Sequence, residues 1–476
     1  MNKIRIAAIA VLAGACSASA MPPSKVALKR ARIIPIVGDE IPNGTLLMAD
    51  GQITAVGVNV EIPYDAMVVD VAGKVVMAGM IDAHSADGLD VRNENLPVTP
   101  FLDVYDALDP SRLYFEDALR DGVTSVHVIV ANDCVIGGVS RVVHPIGLTP
   151  DEMTLTRDVA LKMSVAPKSG WDRMSQMAQF RETFRELDEY LEKLAEKKYE
   201  ESLKKKDEEI DVGPEEARKR GKELVKFEDY DDAHANLVRL TRGELGAFVH
   251  AQTAGDVPRA LQLARDHGFF DRLTLVLGPD SYKALDLIKK SGRPVVLEPP
   301  LLYREEDPLT GKISETFVPK VFADAGVEFS LLPSPDSSLA ERYLNYQAAM
   351  CVRHGVSRDK ALRSITINPA KAIGVEELVG SLEPGKVANI VVMSGDPLDF
   401  NSWVDLVYIK GIEAYDRQKD VRLKQLLGDE SDEVAAGEPS TKGRNSAQSP
   451  EAADDSTPTG EAGGTSESDR SPEESK

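Results

Sequence analysis

The sequence predicts an α/β protein built around a (β/α)8 barrel of the TIM type. Three observations predict it. Apolar segments suited to strands alternate with amphipathic helical segments from about residue 75 to 379. Those strand segments are apolar on both faces, the pattern of a parallel sheet covered by helices. The number of units favours a barrel over an open sheet. Shorter β segments flank this run on both sides, at 21–74 and 380–420.

Taken in order, residues 1–20 read as an export signal. Lys3 and Arg5 precede the apolar stretch IAAIAVLAGA, and SASA supplies small residues before an expected cleavage at Met21. The apolar run is too short to span a bilayer, so the mature chain is expected to carry no transmembrane segment and to be periplasmic or secreted. Lipoprotein processing at Cys16 is the rival reading, but LAGA places leucine one position too far from the cysteine. After cleavage only Cys134 and Cys351 remain, and two buried free thiols are expected.

The N-terminal β region contains VALKRARIIPIV and then NGTLLMADGQITAVG, where Asp50-Gly51 sits between alternating apolar residues as a hairpin turn. Strands follow at VVMAGMIDAHSADG, VTSVHVIV and GAFVHA. DVPRALQLARDHG is an amphipathic helix ending at Gly268. RLTLVLG, RPVVLEP and VEFSLL are further strands, with helical segments between them, and the pair LAERYLNYQAAMCVRHG and SRDKALRSITINPAKAIG closes the run. Residues 181–226 are dense in Lys and Glu at helical spacing and are expected to form a solvated helical insertion. From residue 429 onward Ser, Glu, Gly, Pro and Ala dominate without an aromatic residue, so that tail is expected to be disordered and acidic.

The chain has 42% apolar and 28% charged residues, the balance of a globular protein, and a net charge of −22. That charge argues against a nucleic-acid-binding role, which needs excess Lys and Arg against phosphate. The expected partner is a small-molecule substrate or ligand. A homo-oligomer is compatible with the sequence. No nucleotide fingerprint and no Gly-x-Ser-x-Gly elbow is present.

Several of these motifs together resemble the amidohydrolase superfamily, and most closely its imidazolonepropionase-like branch. VVMAGMIDAHSADG looks like the first barrel strand of that family. DGVTSVHVI with ANDCVIGG looks like its second strand and glycine-rich loop, and GELGAFVHAQTAGDVPRALQLARDHG its fifth strand and following helix. SITINPAKAIGVEELVGSLEPGKVANIVVMSGDPLD is similar to the closing helix and the return into a small β domain. The resemblance implies a small β-sandwich composed of both chain ends. It also implies hydrolysis of carbon–nitrogen bonds by one or two divalent ions, typically zinc, at the C-terminal mouth of the barrel.

The family's usual ligands are a His-x-His pair on strand one, a histidine from each of strands five and six, and an aspartate after strand eight that also shuttles the proton. Here His84 falls on the first histidine and Ala86 on the second. His250 matches strand five, Leu277 falls on the strand-six position, and Ser334 on the aspartate unless a shifted loop brings in Asp336. The candidate metal ligands are therefore His84, His250 and Asp336, with Asp336 also the candidate catalytic base. A catalytic zinc commonly needs three protein ligands, so weak or absent metal binding is expected. Lys162, in VALKMSV, resembles a family position, but the sequence does not place it on the strand whose lysine is carboxylated in some members. His127 and His144 match no family ligand and are expected to be core or surface residues. Two functions remain open: a hydrolase of carbon–nitrogen bonds acting on a cyclic amide, a deaminated ring or a dipeptide-like substrate, and a non-catalytic descendant that binds a small molecule or protein at the barrel mouth.

Overall fold

The computed structural model describes residues 25–210, 212–334 and 343–427. The expected export signal, the acidic tail and Asp336 lie outside the described residues. The described residues open with β1 (Lys25–Ile34), β2 (Ile41–Ala49), β3 (Gln52–Gly57), β4 (Met67–Asp70) and β5 (Val75–Ala78). The β2–β3 hairpin turns at Asp50-Gly51, with φ of 50° and 82°. Positive φ at both central residues matches the right-handed twist of paired strands, which is why Asp-Gly marks the turn in the sequence.

The central region supplies β6 (Met80–Ser85), β7 (Val123–Val128), β8 (Ile136–Val139), β9 (Arg141–Val143), β10 (Thr154–Thr156), β11 (Ala160–Ser164), β12 (Gly246–Ala251), β13 (Leu273–Leu277), β14 (Val295–Leu297), the hairpin β15 (Leu302–Glu306) and β16 (Ile313–Phe317), and β17 (Ser330–Leu331). Two sheets carry it, in the orders β10-β9-β7-β6 and β17-β14-β13-β12-β11-β8. β6 pairs in parallel with β7, and β11, β12, β13, β14 and β17 pair in parallel in succession. The free edges of β6 and β17 meet across one short segment: Ile81 N–H donates to the Ile365 carbonyl and Leu331 N–H to the Ser364 carbonyl, each at 3.0 Å. Residues of β7, β11, β12 and β13 are all buried, as strands covered on both faces must be.

The third place in this succession departs from the expected all-parallel order. β9 runs antiparallel to β7, and β8 antiparallel to β11. The connection 129–135 that leads into β8 is too short to hold a crossover helix, and without one the chain can only double back.

The chain returns through β18 (Ile390–Met393), β19 (Val404–Ile409) and β20 (Ile412–Asp416). These join the N-terminal strands in one 8-stranded sheet, ordered β20-β19-β18-β5-β1-β2-β3 with β4 on β1. Strands from 25–78 and from 390–416 therefore share a single hydrogen-bonded sheet, with β18 antiparallel to β5 at the seam. Gly79 leads from that seam into β6. A Cβ there would lie 2.0 Å from the Thr124 hydroxyl, so only glycine lets the sheet approach β7 this closely.

The Lys/Glu-rich stretch lies mainly in a single helix, Arg173–Lys204, that starts earlier than the charge pattern suggests. Its first half buries Phe180, Phe184 and Leu187, and Phe184 stacks on His267 with ring centroids 3.7 Å apart. Only the second half, with the helix Pro214–Lys222, forms a separate small cluster around Tyr199, Leu203 and Ala217. Cys134 and Cys351 are buried free thiols. Among the described residues no helix is long and apolar enough to cross a membrane.

Candidate functional site

The site gathers at the C-terminal ends of the parallel strands, where such folds place their reactive groups. His84 stands near the end of β6 and His250 near the end of β12. Lys162 lies on β11, between β8 and β12, and is fully buried. Its ammonium donates to His84 Nε2 at 2.7 Å and to Asn132 Oδ1 at 2.6 Å. Lysine can only donate, so His84 Nε2 is the acceptor and the ring proton sits on Nδ1. Asn132 in turn donates to Glu298 Oε1 at 2.6 Å. Glu298 follows β14, and its Oε2 lies 3.1 Å from His250 Nε2. That contact is off line for a hydrogen bond, and His250 Nε2 is buried without a hydrogen-bond partner. Ser164 Oγ sits 3.2 Å from the other ring nitrogen of His250.

Burial and neighbouring charge set the protonation of this network. Burial lowers His84 well below the usual imidazole range, and the Lys162 ammonium adds to it, so His84 is neutral near pH 7. Burial lowers Lys162 to about 8, with Glu298 among the groups opposing the fall. Burial pushes the Glu298 carboxyl up, but His250 beside it and the Lys162 charge outweigh that and hold it at about 2. Two residues before His84 on the same strand, Asp82 is raised to about 6 by burial, although it accepts from the Tyr114 hydroxyl at 2.7 Å and from the His84 backbone N–H at 3.1 Å.

Above these groups opens a cavity of about 310 Å³, lined by Asp82, His84, Ala86, Arg92, Glu298 and Ser334 among others. Arg92 is ion-paired to Asp87 at its rim.

The sequence reading of the site meets this geometry unevenly. His84 and His250 come together in one network. Ala86 and Ser334 both line the cavity, where the family would present a histidine and an aspartate. Leu277 does not face it. His250 pairs across the strands with Val276, and Leu277 pairs with Ala251. Paired residues of parallel strands share a face and successive residues alternate, so Leu277 points away from His250. Glu298 went unnoticed in the sequence. Its only signal was an acidic residue directly after the apolar run VVL. His127 and His144 are buried away from the cavity, against the Ala83 and Thr124 carbonyls respectively.

The described residues do not fit the divalent ion of the family. The Lys162 ammonium occupies the His84 lone pair that a metal would take. Among the described residues no group of three or more His, Cys, Asp or Glu side chains is arranged to hold a metal.

Comparison with known proteins places the fold. The model of the Amidohydrolase family matches residues 324–413. An amidohydrolase from Thermotoga maritima MSB8 superposes with a TM-score of 0.67 at 28% identity, covering 82% of this chain and 100% of that one. The fold is thus of the TIM-barrel type, and the chain is similar to proteins of the amidohydrolase superfamily. Part of the chain is similar to imidazolonepropionases: that of Treponema denticola is 30% identical over 139 residues, 29% of this chain and 31% of that protein. The amidohydrolase tasK of Hapsidospora irregularis is 22% identical over 422 residues, 78% of this chain. The match spans only 40% of the length of tasK.

Proposed function

We propose that this protein is a small-molecule-binding member of the amidohydrolase superfamily whose barrel mouth does not run metal-assisted hydrolysis. The observation that carries the reading is the Lys162 ammonium, 2.7 Å from His84 Nε2, on the nitrogen that would have to coordinate a metal. The substitutions support it: Ala86 and Ser334 face the cavity without a strong metal donor, and Leu277 faces elsewhere. A water activated for attack needs a concentrated positive charge to bring its pKa toward neutrality. A single ammonium already bonded to two acceptors supplies far less. The cavity itself is retained, and its size and mixed polar lining suit a small amide or a compound of similar shape. The export signal read in the sequence would put that ligand outside the cytoplasm.

Hydrolysis by family resemblance is the competing reading. A thermal-shift screen of cyclic and dipeptide-like amides, with product analysis of the same mixtures, separates the two. We expect a stabilising ligand that is recovered intact, and loss of the shift in Ala86→Phe, whose ring fills the cavity. Turnover of any of these compounds would restore the hydrolase.

A further inference from the structure

The buried cation at this mouth has work that the ligand reading leaves unexplained. Lys162 is fully buried in the middle of a sheet. Taking an ammonium out of water is expensive unless its charge is matched and its N–H groups are bonded. Apolar neighbours would have filled the same volume without that cost. What the ammonium does instead is gather lone pairs from separate parts of the fold. It holds His84 of β6 at 2.7 Å and Asn132 of the 129–135 connection at 2.6 Å. Asn132 passes the link to Glu298 after β14, which closes on His250 of β12 at 3.1 Å. A divalent ion at a barrel mouth does the same: it cross-links strand ends through their lone pairs and neutralises a buried carboxylate.

We propose that the Lys162 ammonium is the resident cation of this barrel mouth, tying His84, Asn132 and Glu298 together in place of a metal ion. The proposal rests on the ligand-binding reading above, since a site with its own fixed cation has no vacancy for zinc. Lys162 is a positioning residue in this scheme. It lies beneath the cavity, does not line it, and acts on a ligand only by setting where His84 and Glu298 stand.

The charge of Lys162 is then matched by the charge of Glu298, and the two residues are energetically coupled. A double-mutant cycle in urea, on chelator-treated full-length protein, tests this with Lys162→Met, Glu298→Gln and the pair. Each single change should lower the urea midpoint, because each leaves a buried charge without its partner. The double variant should be more stable than Lys162→Met alone, since its second change removes the orphaned carboxylate. A double variant that folds where Lys162→Met does not is the same result in stronger form. Strict additivity would overturn the assignment.

A second arm uses wild-type protein and needs no variant to fold. Saturating zinc with 13C-bicarbonate should leave the melting midpoint unmoved and put no label on Lys162. A labelled lysine together with a zinc-dependent rise would make Lys162 a metal ligand and end the proposal. The two readings fail separately. Amide turnover by metal-free protein would end the ligand-binding reading and leave the cycle standing, whereas additivity in the cycle would end the Lys162 assignment and leave ligand binding standing.

Discussion

His127 and His144 show how burial turns a titratable side chain into a stability term. His127 donates from Nδ1 to the Ala83 carbonyl at 2.8 Å and rests on Phe248 with ring centroids 4.5 Å apart. Burial lowers both rings to about 4 from an ordinary 6.5, with the bonds to the Ala83 and Thr124 carbonyls pulling the other way. Between those two values the unfolded chain holds protons that the native chain refuses. Stability from these rings is therefore complete above pH 6.5 and is lost as pH falls toward 4, on the order of 3 kcal/mol each at most. Urea midpoints taken at neutral and at mildly acid pH should show the fall, and His127→Gln should flatten it. Equal slopes for the variant and the wild type would contradict this account. The position of such a ring is hard to read from sequence. HVIV and HPIG look alike as histidines beside apolar residues, and nothing in either says which nitrogen finds a carbonyl. Glu298 was missed for the same reason. A glutamate after a strand is common, and only the closure of the sheet order brings it to His250.

At the scale of elements the sequence was more legible. Asp50-Gly51 and the buried runs at β7, β12 and β13 carry their conformation in local chemistry, through backbone torsion and continuous apolarity. The orientation of β8 and β9 was not legible, because strand direction depends on the length of the connection and not on the strand's own residues. Leu277 was misplaced for a related reason: a shift of one residue along a strand reverses the face. The crossing of the helices Arg173–Lys204 and Pro214–Lys222 gives a test at this scale. A Cβ on Gly221 would fall 1.8 Å from the Ala195 carbonyl oxygen, and backbone cannot move aside cheaply. Gly221→Ala should push the short helix off, at a cost of about 1–3 kcal/mol. Because the Tyr199–Leu203–Ala217 cluster is separate from the main core, hydrogen exchange should rise in 195–222 while the global melting midpoint hardly moves. Unchanged exchange there would show that the contact is not needed.

The whole molecule is tied at its sheet. β5 lies between β1 from the start of the chain and β18 from its far end, and β6 leads directly from β5 into the site. Deleting everything after residue 380 would strip β5 of one neighbour and expose the buried run Val75–Ala78. We expect such a chain to be insoluble or rapidly digested around β5. A soluble, protease-resistant product would show that the barrel stands without the sheet. The central claim concerns the mouth to which this sheet leads: its cation is a lysine. Calorimetric titration of zinc into chelator-treated wild-type protein, with elemental analysis of the recovered sample, tests that claim most directly. We predict no saturable heat and no stoichiometric zinc. Tight stoichiometric uptake would contradict the account and point to ligands beyond the described residues, Asp336 first among them.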